Sequence, residues 1–353
     1  MRLSERRKKM AEGLRETLKK LSEAIGVSGE EREVRQLLLE LTKDRLEDVV
    51  IDTMGNLTAR LKGSQANALR VMLSAPMDEI GLMISGSENF LSALPVGHLD
   101  VRYVAAARVL IGAQKLNGVV LFAPIHKTHG QNELPEPKSI LIDTGGKNSA
   151  KVGERAAFVG NYAELSADVV RGKAFQSRAA CAVLVGLIEA LAQAPLPLDI
   201  YVAFTAQARI YGRGATVAAN RLKPQVAFLL DGAECDDLPR PEGDTQLPAV
   251  RLGGGTVLRA SEEMGIPDQR LLAYVRNIAE THGLPYQIDI SEARGTENAN
   301  VSQTQAGVPS VSLSVPVRYM SSPNGLVSLT DLENTQRLLH AALAALTPKL
   351  LEN

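Results

Sequence analysis

The chain has 353 residues, with 39 Lys plus Arg against 40 Asp plus Glu and a formal net charge of −1, so it lacks the basic footprint that a nucleic-acid partner requires. Hydrophobic residues at 45% and charged residues at 22% exclude a disordered chain and a coiled coil, and aromatics at 4% with no Trp leave few platforms for stacking on bases or sugars. At roughly 100 to 200 residues per domain the length points to about two domains. Cys181 and Cys235 are too few for a disulfide framework and lead to the expectation of a reducing, cytoplasmic setting. The longest uncharged apolar run, Ala179 to Ile188, is about half the ~20 residues of a bilayer span. The basic start, Met1 to Lys9, leads into a charged helical pattern instead of an apolar export core.

In chain order, Met10, Leu14, Leu18, Leu21 and Ile25 form one apolar stripe and predict a packing helix. Ser28 and Glu31 have capping-box spacing and predict a second helix burying Val34, Leu37, Leu38 and Leu41. Val49 to Asp52 and Leu57 to Leu61 read as a hairpin turning at Met54-Gly55-Asn56, and Leu69 to Ala75 as a buried strand. From Ile80 to about Leu165 the text breaks into short segments divided by Gly and Pro, which predicts a small β-rich domain over 79–166 inserted into a discontinuous α/β domain of 1–78 and 167–353. Beyond it, helices and strands alternate: helix Arg178 to Ala194, strand Ile200 to Ala206, helix Thr216 to Lys223 and strand Val226 to Asp231. There follow helix Asp268 to His282 closed by Gly283, strands Tyr286 to Ile290 and Val308 to Val317, and a last helix from Thr330, with Glu333 in capping-box spacing. That alternation implies a mostly parallel sheet sandwiched by helices, whose ligand sites lie at the carboxyl ends of the strands.

Those strand ends carry distinctive text: Ala75-Pro76-Met77-Asp78-Glu79-Ile80-Gly81, Gln207-Ala208-Arg209 leading to Gly212-Arg213-Gly214-Ala215, Asp231, and Arg318-Tyr319-Met320-Ser321-Ser322-Pro323. Gly172-Lys173-Ala174-Phe175-Gln176-Ser177-Arg178, Gly295-Thr296-Glu297, Gly26-Val27-Ser28-Gly29 with Glu31, and Asp52-Thr53-Met54-Gly55-Asn56-Leu57 complete the series. From about Leu21 to the C-terminus it resembles the TET-type dinuclear metallo-aminopeptidases, which include glutamyl aminopeptidases and proteins formerly labelled endoglucanases. The first twenty residues or so read as an extension. The resemblance implies a phosphorylase/hydrolase-like α/β fold with an inserted β-barrel-like dimerisation domain. It also implies a homo-oligomer, often a tetrahedral dodecamer.

The resemblance also implies where a metal site would lie, and the residues there depart from the pattern. The His ligand of the family's Ala-His-Met-Asp-Glu-Ile-Gly string is Pro76, while the Asp that steers it remains as Asp78, followed by Glu79. The bridging Asp is Gln176; the general base and the Glu ligand after it are Ala208 and Arg209; the final His is Ser321. Asp231 alone retains a ligand type, and Gly-Thr-Asp has become Gly295-Thr296-Glu297, which keeps the charge. Pro and Ala offer no side-chain donor atom, and Arg brings a permanent cation, so the expectation is a degenerate site with no catalytic residue and no cofactor. Arg209 is expected to replace the metal charge by pairing with Asp231, and with Glu297 or Asp78.

Elsewhere, Cys181 reads as a core thiol and Cys235 as a thiol held down by neighbouring acids. His126 and His129 have the spacing of a ligand pair but sit beside Pro124 and Gly130 in the insert. Gly253-Gly254-Gly255 lacks the Lys of a phosphate loop and reads as a turn, and His98, His282 and His340 stand in no motif. The functional expectation is a peptidase homologue that has lost activity and serves as an assembly component, with itself or an active paralogue, or binds peptides or small molecules, with no nucleic-acid or membrane partner. The rival is a hydrolase using a rearranged site, either a single zinc or cobalt on Asp231 with Glu297 or a metal-free arrangement of Asp78, Glu79, Asp231 and Glu297. A sugar hydrolase is poorly supported, because the aromatics that sugar sites recruit are scarce.

Overall fold

The computed structural model describes residues 2–87, 89–122, 140–146, 149–239, 250–290 and 295–352, with side chains from residue 12 onward. Helices α1 (Arg2–Glu23) and α2 (Arg32–Thr42) precede strands β1 (Leu46–Ile51), β2 (Leu57–Leu61) and β3 (Arg70–Pro76). Next come β4 (Gly81–Ser87), β5 (Leu91–Val96), β6 (Arg108–Ile111), β7 (Leu116–Val120), β8 (Ile140–Asp143) and β9 (Arg155–Phe158). After β10 (Ala163–Glu164) and β11 (Val169–Gly172), the chain runs through α3 (Phe175–Gln193), β12 (Asp199–Thr205), α4 (Arg213–Leu222) and β13 (Val226–Glu234). It ends with β14 (Thr256–Ser261), α5 (Gln269–His282), β15 (Tyr286–Ile290), α6 (Asn298–Ser302), β16 (Ser310–Val317), β17 (Gly325–Ser328) and α7 (Leu329–Ala345).

The eight-stranded sheet has the order β1-β2-β12-β3-β13-β16-β14-β15. Its four central strands, β12, β3, β13 and β16, are mutually parallel, and antiparallel pairs flank them. Strand alternation sends side chains to opposite faces. Val71, Leu73, Val202 and Phe204 join the core under α1, α2, α3, α5 and α7, while Met72 and Ala203 meet the small residues Ala215, Ala218 and Ala219 of α4 on the other face. The inserted strands close into the barrel β4-β5-β8-β7-β6-β9 around a separate core that includes Leu82, Ile84, Val109 and Ile142.

Several local expectations change. Leu14, Leu18 and Leu21 are buried in the main core, as the packing-helix reading expects, although Leu14 and Leu18 fall within the stretch read as an extension. The Ser28 hydroxyl donates to Asp78 and Glu31 accepts from the Gly29 and Gln207 N–H groups, so these side chains tie loops together instead of forming a capping box. The last helix is capped by Ser328, which accepts from the Asp331 N–H, two residues before the expected Thr330. Helix α3 has 19 residues and is long and apolar enough to cross a membrane, but most of it is buried in the core, where a central helix of an α/β sandwich must be apolar all round. Strand β10, inside the span expected for the insert, pairs with β11, which in turn pairs with β17 of the larger domain. His126 and His129 lie outside the described residues.

Candidate functional site

The positions singled out by sequence converge at the carboxyl ends of the central strands. Pro76 ends β3, Asp231 lies in β13, and Gln176 is in the first turn of α3. Ala208 and Arg209 follow β12, and Ser321 follows β16. Two glycines make this convergence possible. A Cβ on Gly232 would stand 2.8 Å from Cα of Gln176, so glycine there lets β13 approach α3 and sets Gln176 beside Asp231. A Cβ on Gly214 would stand 2.2 Å from the Ala206 carbonyl oxygen. With Gln207 and Tyr211 at φ of 55° and 61°, this tight turn folds Arg209 back over the sheet end.

The pairing of Arg209 with Asp231 is present. Nη2 of Arg209 donates to both Asp231 oxygens at 3.0 and 3.0 Å, and the Gly232 N–H donates to Oδ1 at 2.9 Å. The Arg209 backbone N–H donates to Asp78 Oδ2 at 2.8 Å, while its Nε is 3.8 Å from Asp78 Oδ1. Asp78 thus orients the turn by its backbone and supplies a second, looser counter-charge. Burial pushes the Asp78 carboxyl upward, opposed by Arg209 and by the Ser28 hydroxyl.

Glu297 forms no ion pair with Arg209 among the described residues. Its Oε2 accepts from Thr205 Oγ1 at 2.8 Å and Ser74 Oγ at 3.1 Å. Burial, with the nearby Asp231 adding to it, pushes its carboxyl up to about 8, so near neutral pH it holds its proton. Asp78 Oδ1, Arg209 Nε and Glu297 Oε1 are buried without a hydrogen-bond partner.

Glu79, expected as a cleft acid, borders one cavity, yet its carboxylate is fully engaged. It accepts from Lys173 Nζ at 2.6 and 2.7 Å, from the Gly26 N–H at 2.8 Å and from Arg178 Nη2 at 3.4 Å. Burial lowers the Lys173 ammonium, with Glu79 acting against that. Sequence reasoning missed this cluster, because Lys173 and Glu79 are 94 residues apart. The available signal was a Lys and an Arg bracketing the apolar start of α3.

The remaining candidates are structural. Cys181 is buried, donates to the Pro76 carbonyl at 3.0 Å and has its thiol pushed up to about 12 by burial. Cys235 is raised by burial and then by Asp237. The glycine run is a turn: the Gly253 and Gly255 N–H groups donate to the Asp331 carboxylate at 2.7 and 2.8 Å. Ser321 is buried at the edge of a cavity. His98, which no motif marked, is brought to the cleft wall, its ring edge-on to Tyr211 at 6.1 Å.

Two clefts open to solvent meet at Ile80, Gln176 and Arg209. A divalent pair needs several anionic or imidazole donors converging at nearly fixed distances. Among the described residues no group of three or more His, Cys, Asp or Glu side chains is placed to hold a metal ion. At Asp231 both oxygens already accept from a guanidinium. The donors at these positions do not fit a metal pair.

A mixed sheet with helices on both faces, an inserted six-stranded barrel and a cleft at the strand ends defines the aminopeptidase-type α/β class, and comparison with known proteins names the family. Residues 55–338 match the M42 glutamyl aminopeptidase family. A protein of Acetivibrio thermocellus named as an aminopeptidase is 32% identical over 340 residues, covering 94% of this chain and 99% of its own. The TET aminopeptidase of a marine-sediment Thaumarchaeota archaeon superposes with a TM-score of 0.91 at 27% identity, covering 97% of this chain and 99% of that one. The TET1 peptidase of Pyrococcus horikoshii, which can assemble into a tetrahedron or a large octahedral shell, superposes with a TM-score of 0.83 at 29% identity, covering 94% of this chain and 100% of that one. The chain therefore belongs to the M42 glutamyl aminopeptidase family.

Proposed function

We propose that this chain is a member of the family without metal-dependent peptidase activity, acting in the cytoplasm as a non-catalytic subunit of an oligomeric assembly whose cleft binds a small ligand or peptide. The observation that carries the reading is the Arg209–Asp231 pair, in which a permanent cation occupies both oxygens of the one acid retained in ligand type. Hydrolysis of the usual kind needs a polarising metal, an open position for water and a base beside it. The base position is Ala208, and the nearest acids are committed: Glu79 to Lys173 and Arg178, Asp78 to Ser28 and the Arg209 N–H, and Glu297 to Thr205 and Ser74.

A homo-oligomer is supported by the Pyrococcus horikoshii relative, which assembles, and by the barrel wall. Leu94, Leu141 and Val119 stand outward on the neighbouring strands β5, β8 and β7 and are 42%, 37% and 45% exposed, an apolar face suited to a second copy or an active paralogue. The test combines metal content by mass spectrometry with hydrolysis of a panel of amino-acyl substrates in added zinc, cobalt or manganese. The reading expects neither stoichiometric metal nor turnover above background. Turnover that is lost in Asp231→Ala overturns it in favour of a rearranged hydrolase.

A further inference from the structure

The ion pair at the base of the cleft uses only part of the Arg209 guanidinium. Both Asp231 oxygens accept from the same nitrogen, Nη2. The other terminal nitrogen, Nη1, donates to no described residue and is not shut away from the cavities, although the side chain as a whole is only 7% exposed. Beside it Gln176, 8% exposed, lines both cavities, and its amide has no partner among the described residues. Two side chains more than nine-tenths buried thus direct unused hydrogen-bonding groups into one cleft. Neither Arg209 Nη1 nor the Gln176 amide is among the polar atoms sealed from solvent, so both can reach a ligand that enters the cleft.

The chemistry of these groups selects the ligand. A guanidinium only donates, and the Gln176 amide can turn its nitrogen, with two further donors, toward the same point while its oxygen accepts elsewhere, so the group that faces Arg209 is a strong acceptor. A carboxylate accepts in the charge-assisted, forked geometry that Arg favours. An ammonium meets the reverse situation: the Asp231 oxygens already accept from Arg209 and Gly232, and Glu263, which lines the same cavity, lies exposed at its outer edge. The wall above Arg209 includes Tyr211, 68% exposed and edge-on to His98, together with Met264, an apolar surface for the body of a ligand whose acid group points inward.

We propose that the cleft binds a carboxylate carried on a small apolar body, with Arg209 Nη1 and the Gln176 amide as its donors. This rests on the reading that no metal pair occupies the cleft, so metal content is measured on the same samples. The probes are N-acetyl-leucine, its primary amide, leucinamide and 4-methylpentanoate, each titrated by calorimetry or by ligand-observed NMR. N-acetyl-leucine is expected to bind at least about tenfold more tightly than its amide, the ratio implied by losing one charged hydrogen bond, and leucinamide is expected not to bind. Equal binding of 4-methylpentanoate supports a free acid as the ligand, whereas preference for N-acetyl-leucine supports a peptide C-terminus.

Gln176→Leu, which leaves the Arg209–Asp231 pair in place, is expected to weaken the acid about tenfold while keeping a wild-type melting curve, and Arg209→Lys, which keeps the charge without the second donor edge, is expected to weaken it about tenfold in protein that still melts cooperatively. Metal-free protein that binds acid and amide equally, or binds neither at millimolar concentration, overturns the inference without touching the loss of peptidase activity. Stoichiometric metal would overturn the parent reading instead.

Discussion

Two buried carboxylates lie near the carboxyl ends of neighbouring strands of the sheet, and each meets a guanidinium, yet the two networks differ in whether that guanidinium reaches a cleft. Around Glu79, which follows β3, Lys173, Arg178 and the Gly26 N–H direct donors at one carboxylate. Around Asp231, in β13, a single guanidinium nitrogen takes both oxygens, and Asp78 Oδ1, Arg209 Nε and Glu297 Oε1 remain without partners. The Glu79 carboxylate is satisfied, although Arg178 Nε and Nη1, on a side chain 0% exposed, are themselves buried without hydrogen-bond partners. Arg209, in contrast, lines both cavities, and its unused Nη1 is not among the atoms sealed from solvent, whereas the unused nitrogens of Arg178 are. An unpartnered polar atom points to a ligand only where a cleft gives access to it.

Removing one charge from each network separates the two. Glu79→Ala leaves Lys173 and Arg178 as two buried cations with no counter-charge, so it is expected to cost about 3–5 kcal/mol. A denaturant titration showing a loss below about 1 kcal/mol would mean that Glu79 is not the keystone of that network. Arg209→Met strands Asp231, but beside a cleft that admits water, and the expected loss is smaller, about 2–3 kcal/mol. Finding it larger than that of Glu79→Ala would reverse the ranking.

Glu297 sharpens the contrast through pH. Its folded carboxyl, near 8, still binds a proton that the unfolded chain, titrating near 4.5, has released. The unfolded state therefore binds fewer protons between those values, and stability falls as pH rises through that window. Glu297→Gln stays neutral and should lose this slope, gaining on the order of 3 kcal/mol over wild type when about pH 8 is compared with about pH 5. Parallel pH profiles for the two proteins would show that Glu297 is ionised in the fold. At the small end, Arg15 and Glu164 pair at 3.0 Å with side chains 35% and 49% exposed, and Arg15→Ala should cost about 0.5 kcal/mol or less. A cost near that of Arg209→Met would mean that pairing, not burial, sets the scale.

The sequence made much of this legible, and for a physical reason. Strand ends and the turns after them carry short strings whose residues act in place, so the order of the elements, the insertion and the converging positions could be read from text alone. The opposite charge signs of Arg209 and Asp231 were legible too, because one replaced a group whose counter-charge the other had kept. What escaped were partnerships across long loops. Ser28 and Glu31 have capping-box spacing, but their side chains serve Asp78 and the Gly29 and Gln207 N–H groups. Glu79 read as a cleft acid because its cations lie far along the chain at the start of α3. The unmarked His98 reaches the cleft only because the barrel folds back over the sheet end.

The most direct test of the central claim is a high-resolution crystal structure grown in excess zinc, with anomalous data collected at the zinc edge. The account predicts Arg209 still bonded to both oxygens of Asp231 and no anomalous peak between Gln176 and Ser321. A zinc ion seated on Asp231, with the guanidinium displaced, would contradict it.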